Sequence, residues 1–310
     1  MRATIGPRVP ESWELVGQGG PRPFTSYVEY RRPDRSTYRY ESRLGRKGYG
    51  PRRPSGPAGT RSHRSPWQRF WAPDRLAWWV AILFVAGSLL FVLGAAASLV
   101  PSLFGGEHAM SLVAEGCYTL GAVLYTVSVY GQLLEYLNAD DRITTAEGSR
   151  PPEHWRWWAW DPTRLGFLVP FVFLVGAVVF NYETIAALLS TLGLVPGTVG
   201  LWVTCLVGSV LFLIASVLQI AEVGHGRLRA EPRNISWWVA VLFVIGSVGF
   251  IVGSLPGFGT GDGFPTAEQE SGALIVKIGF LLGGVAFTAG SYLMLPEFFE
   301  ELDRRRPVTR

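Results

Sequence analysis

Charge is scarce in this chain. Asp, Glu, Lys and Arg make up 17% of its 310 residues, against roughly a quarter in soluble domains. Hydrophobic residues reach 48% and mean hydropathy is +0.23. That balance excludes a disordered chain, or a water-soluble globule, for most of the length. Cysteine is scarcer still. Cys117 and Cys205 cannot build a disulfide scaffold. A bridge between spans two and four is the one link open to them, and small buried apolar positions are the plainer reading. The four histidines, His63, His108, His154 and His225, lack the paired spacing of a metal site. No phosphate-cradling glycine loop is present. No cofactor, metal or catalytic set is therefore expected, nor an enzyme. No apolar run lies near the start, so no cleavable signal peptide is expected.

What is present is divided along the chain. Residues 1–72 are polar and rich in Pro and Gly, and residues 1–75 carry 16 Lys or Arg against 6 Asp or Glu. Runs such as Arg31-Arg32-Pro33 and Pro51-Arg52-Arg53-Pro54 offer too little apolar surface to offset the entropy of ordering. A disordered basic tail is expected there. Tyr27, Tyr30, Tyr38, Tyr40 and Tyr49 alternate with arginine, a pattern that suits anionic lipid or RNA. A solvated tail beside a membrane is the plainer reading, and no nucleic-acid partner is expected.

Six apolar segments follow, near 76–97, 112–134, 165–188, 199–222, 236–255 and 273–295. Each has about 20 residues or more, enough to cross a hydrocarbon layer about 30 Å thick. The loops after spans one, three and five hold no Lys or Arg, whereas 27 of the 28 cations lie on the opposite side and the last, Lys277, lies within span six. Short loops rich in Lys and Arg stay cytoplasmic, so both termini are expected in the cytoplasm and the protein in the inner or plasma membrane. Tryptophan agrees. Trp67, Trp71, Trp78, Trp79, Trp155, Trp157, Trp158, Trp160, Trp237 and Trp238 crowd the same boundary, where indole rings prefer the headgroup region. The expected partners are the bilayer and its anionic headgroups.

The spans repeat. Residues 78–91 (WWVAILFVAGSLLF) and 237–250 (WWVAVLFVIGSVGF) agree at 10 of 14 positions. A core glycine followed four residues later by an aromatic recurs in all six spans, at Gly87, Gly121, Gly176, Gly208, Gly246 and Gly283. Pro73, Pro162 and Pro232 each lie 14 residues before an odd-span glycine, where proline suits a helix start. The repeating unit is a helical hairpin. Lipid tails are as apolar as leucine, so such helices associate by close backbone approach at small residues. The pattern F-x-x-G-S-x-x-F, a short loop, then W-x-x-x-x-x-G-S-x-x-F resembles the YrhK-like family of small bacterial and archaeal membrane domains. Asn234 to Phe250 and Gly197 to Gln219 match best, and the likeness covers about residues 73–300 as three diverged copies. The middle copy departs, with Gly176-Ala177 and Pro170. The resemblance implies membrane-hairpin architecture and carries over no activity.

Two sets of charged residues break the apolar pattern. Glu183 stands seven residues after Gly176, where the other spans place Gly94, Ser128, Ala215, Gly253 and Gly290, and Glu115 and Lys277 each stand six before a core glycine. At 1.5 Å per residue the three share a depth about 9–10 Å from the glycines. Ionisable groups on a helix seam need partners. Lys277 paired with Glu183 or Glu115 would line a path for a cation, proton or solute; side chains reaching back to water are the plainer reading. The second set, Glu135, Glu222 and Glu297, each lies 14 residues after an even-span glycine, at helix C-termini where the macrodipole disfavours anions. Arg142, Arg227 and Arg304 are near enough in sequence to compensate. The set reads as a carboxylate ring attractive to cations at a cytoplasmic mouth, or more plainly as solvated ends inherited from the repeat.

The expected fold is all-α: a polytopic helical membrane protein with six transmembrane helices as three helical-hairpin repeats and a disordered basic N-terminal tail. The expected divisions are a tail at 1–72, hairpins at 73–138, 139–222 (with a Trp-rich interfacial segment) and 223–300, and a basic C-terminus at 301–310. The expected function is that of a non-enzymatic membrane scaffold or envelope protein. A small-solute or ion channel or transporter is the alternative. A dry centre of Gly and Phe favours the first, and a hydrated cavity joining Glu115, Glu183 and Lys277 the second. Homo-oligomerisation is left open.

Overall fold

The computed structural model describes residues 12–43, 65–138, 155–195, 201–226, 230–255 and 270–304. The apolar segments form six helices, α1 (Leu76–Leu99), α2 (Glu107–Leu137), α3 (Leu165–Thr191), α4 (Leu201–Val223), α5 (Ile235–Ser254) and α6 (Glu270–Arg304). All six contain stretches long and apolar enough to cross a membrane, the architecture of a multi-pass membrane protein. Each helix packs on its neighbours in sequence, and α6 returns to pack on α1, so the six close into a ring. Their outward faces keep large apolar side chains exposed, among them Leu93, Val178, Ile214, Val248 and Leu282, as helices facing lipid do.

The repeated glycines explain how closely the hairpins pack. Gly87 faces the ring of Tyr125, and Gly121 faces that of Phe91. Gly176 and Gly208 face Phe212 and Phe180; Gly246 and Gly283 face Phe287 and Phe250. A Cβ at any of the six would come inside 3.0 Å of that ring. Each helix of a hairpin thus supplies the notch for its partner's aromatic.

Those aromatics fill the axis. Phe91, Phe180 and Phe250 form a triangle with ring centroids 5.6, 6.0 and 6.5 Å apart. Tyr125, Phe212 and Phe287 form a second, 5.8–6.0 Å apart. Phe84, Phe173 and Phe243 lie against the second triangle at 5.1–5.4 Å. Phe84, Phe243 and Phe287 are each no more than 1% exposed. Ser88 bonds the Tyr125 hydroxyl at 2.6 Å, which satisfies the polar atom of that layer.

The N-terminal segment departs from expectation. β1 (Glu14–Gly19), β2 (Tyr27–Arg31) and β3 (Thr37–Glu41) form an antiparallel sheet in sequence order, so the fold is not purely α and residues 14–41 are not disordered. The reason is local. Tyr-Val-Glu-Tyr-Arg and Thr-Tyr-Arg-Tyr-Glu alternate with period two in strand-forming residues. One face buries the paired Val28 and Tyr40. Charges pair across the sheet, Arg31 with Glu14 at 3.0 Å and Arg39 with Glu29 at 3.4 Å. In the β2–β3 turn Asp34 accepts from the Ser36 amide at 2.9 Å and its hydroxyl at 2.6 Å. The hydroxyl first, then the amide, holds the Asp34 carboxyl below its ordinary pKa. At the other terminus α6 continues to Arg304, past the expected boundary at residue 300. Arg142, Arg227, the 257–269 loop and residues 305–310 lie outside the described residues.

Candidate functional site

α2, α4 and α6 finish at the end of the ring where the N-terminal sheet sits. There Glu135, Glu222 and Glu297 are 6%, 1% and 3% exposed, so they are buried and not solvated helix ends. Among the described residues Arg43, just past β3 and 5% exposed, is a cation that acts on all three. Arg43 Nε donates to Glu297 Oε1 at 2.7 Å and Nη2 to Oε2 at 3.1 Å, a fork-on-fork pair. With the Gln219 amide turned so that its oxygen faces the guanidinium, that oxygen accepts from Nη1 at 2.8 Å and Nη2 at 3.2 Å. The Ser42 hydroxyl donates to Glu222 at 2.6 Å, and the Ser236 hydroxyl to Glu297 at 2.5 Å. Burial works against the Arg43 charge. Glu297, through charge and hydrogen bond, then Glu222 and Glu135 outweigh it, and the Arg43 pKa rises above its ordinary value. The guanidinium is a fixed charge at every physiological pH.

The sheet reaches this position through further polar contacts. Thr25 N–H donates to Thr163 O at 3.0 Å, and Thr25 O accepts from Leu165 N at 3.1 Å, which serves one of the orphan donors at the start of α3. His225, in the turn after α4, lies 3.2 Å from Ser26 Oγ through Nδ1 and 3.4 Å from Glu41 through Nε2. Its ring meets Tyr27 edge-on at 5.3 Å. Gly226 takes φ +87° beneath Pro21, where a side chain would be both strained and crowded. Arg69 adds a second cation at this end, donating to Asp303 at 2.6 Å and to the Phe299 carbonyl at 2.8 Å, the sign favoured near a helix C-terminus. A cleft of about 650 Å³ opens beside Arg43, lined among others by Glu41, Glu222, His225, Glu231 and Ser236. Exposed indoles rim the same end, Trp71 at 77% and Trp157 at 65% among them.

The far end differs. Glu183 is 7% exposed and Glu115 is half-buried. Glu115, Tyr118, Glu183 and Cys205 lie within electrostatic reach of one another. The expected pairing of Lys277 is absent: among the described residues it forms an ion pair with neither carboxylate. A long flexible ammonium at the edge of an apolar helix gains more from water than from a buried partner. Cys117 and Cys205 are free thiols, and the Cys205 sulfur accepts from Ser254 at 3.2 Å. Among the described residues no group of three or more His, Cys, Asp or Glu is placed to hold a metal ion.

The structure thus sets Glu135, Glu222 and Glu297 within charge range of one guanidinium, and among the described residues it pairs Lys277 with neither Glu115 nor Glu183. Arg43, Ser42, Gln219, Ser236 and His225 are the residues that sequence reasoning missed. One signal was available. Gln132 and Gln219 each stand three residues before a ring glutamate, in Gln-x-x-Glu, which places amide and acid on one helix face. Nothing in the sequence distinguishes Arg43 from the other tail arginines. Compared with known protein families, curated proteins and solved structures, the chain has no match.

Proposed function

We propose that this protein is a non-enzymatic membrane scaffold of the inner or plasma membrane, built from three diverged YrhK-like hairpins with both termini cytoplasmic. Its closed helical ring anchors a cytoplasmic module that contains the N-terminal sheet. The observation that carries this reading is the aromatic filling of the axis, two stacked triangles from all six helices. Rings at close-packed separations leave no column of water through the middle of the bundle, and a pore needs one. Further support comes from the segregation of cations and the exposed indoles at the same end, which together suit anionic headgroups at the cytoplasmic face.

The test is flux through the purified full-length protein in liposomes, reported by entrapped dyes for protons, monovalent cations and a small neutral solute. The expected rates equal those of protein-free vesicles. A flux above that background that falls on Glu183→Gln would overturn the scaffold reading in favour of a channel or transporter. That second reading is favoured by one observation, the burial of Glu183 on a helix seam close to Glu115.

A further inference from the structure

The contacts of the sheet segment with the helices include a set of polar ones. None of residues 12–43 belongs to either apolar core of the described structure. Thr25, Ser26, Tyr27, Glu41 and Ser42 make contacts there, and Arg43 brings a buried charge. Its hydrogen-bond partners lie on two helices, Gln219 on α4 and Glu297 on α6, while Glu222 on α4 acts on it through charge and Ser236 on α5 holds Glu297 in place. The helices therefore hold a preformed seat, and the sheet brings the group that fills it. The seat's shape selects that group. Both oxygens of Glu297 take Nε and Nη2 of one planar fork while Gln219 takes the third nitrogen. An ammonium presents no such edge. The cleft of about 650 Å³ touches Arg43 and Glu222, so the seat has a path to solvent.

We propose that residues 12–43 form a detachable cap on this end of the ring, latched by Arg43 in a guanidinium-selective seat made by Glu297, Glu222 and Gln219, with Glu135 adding to the field. Arg43 is the tethered occupant. The contacts of Thr25, Ser26, Tyr27 and Ser42 hold it there together with its own bonds, so a free guanidinium fills the seat only when Arg43 is gone. The proposal goes beyond the scaffold reading and does not depend on it, since a latched cap is equally compatible with a ring that conducts.

The experiment uses the full-length protein in lipid nanodiscs with two readouts, hydrogen exchange of the strands for the latch and thermal unfolding of the helices for the seat. Arg43→Gln is expected to speed exchange of β2 and β3 amides by roughly a hundredfold, with the central turns of the six helices unchanged. Methylguanidinium at tens of millimolar is expected to raise the Tm of Arg43→Gln by roughly 2–4 °C and to leave the wild type unmoved. Methylammonium and sodium chloride at the same ionic strength are expected to do neither, and Arg43→Lys to exchange as fast as Arg43→Gln. Wild-type exchange in Arg43→Gln overturns the latch. Absence of rescue by methylguanidinium, equal rescue by methylammonium, or wild-type protection in Arg43→Lys overturns the seat. Should Arg43→Gln not fold, the variant Arg43→Gln/Glu297→Gln, with both charges removed, is read in its place. It is expected to show fast strand exchange with no methylguanidinium rescue, and slow strand exchange there overturns the proposal.

Discussion

The two ends of the helix ring handle the same chemical problem differently. Each places carboxylates on the helix seam, Glu135, Glu222 and Glu297 at one end and Glu115 and Glu183 at the other. At the first end a segment from outside the membrane supplies an arginine, two serine hydroxyls and an amide complete the site, and three carboxylates sit buried together. At the far end the one lysine at matching depth stays apart from the carboxylates. A buried charge needs a partner with the right geometry, not simply one at the right depth. Arginine meets that need because its fork can be fixed by a folded segment, whereas a lysine on a lipid-edge helix is free to reach water.

Substitutions sharpen this contrast, and the largest effect belongs to the latched end. Glu297→Ala leaves Arg43 buried without its bidentate partner and is expected to cost about 3–5 kcal/mol, read as lost thermal stability in nanodiscs. A loss under about 1 kcal/mol would show that the pair behaves as a surface ion pair. Between the two ends, Phe287→Ala removes a fully buried ring shared by four aromatic neighbours. It is expected to cost about 3–5 kcal/mol at most, toward the lower figure if the other rings close on the void. Denaturant titration in detergent would read that loss, and flux assays would show whether a cavity there admits water. Gly283→Ala should cost about 1–3 kcal/mol, because its new methyl would meet the Phe250 ring of the facing helix.

The smallest effects belong to the far end. Glu183→Gln is expected to leave stability unchanged or raise it by about 1 kcal/mol, since it removes a buried acid with no cation against it among the described residues. Lys277→Met should fall within about 0.5 kcal/mol of wild type. If both far-end substitutions instead destabilised by more than about 2 kcal/mol, and not additively, Lys277 and a carboxylate would be coupled after all, and the difference between the ends would vanish.

Much of the architecture was legible because its signals are local. Span length, Gly-x-x-x-aromatic spacing and the glutamates at a fixed offset all follow the helix period, so they can be read without knowing what packs on what. The N-terminal sheet is hidden by its composition, whose charges and prolines point to disorder. The alternation of Tyr, Val and Thr with those charges was the better local signal, and the cross-strand pairs that make it stable join residues 10 or 17 apart.

The sequence by itself determined six apolar helices, the small-residue notches that let them pack, and the sidedness of the cations, because hydropathy, steric size and charge count are properties of residues and their spacing. Only the tertiary structure decided that α6 closes the ring on α1, that the six aromatics meet on the axis, and that Arg43 sits among the three buried carboxylates. Those outcomes join residues as far apart as 254 positions, and a pairing over that distance depends on which surfaces complement each other once the helices have assembled.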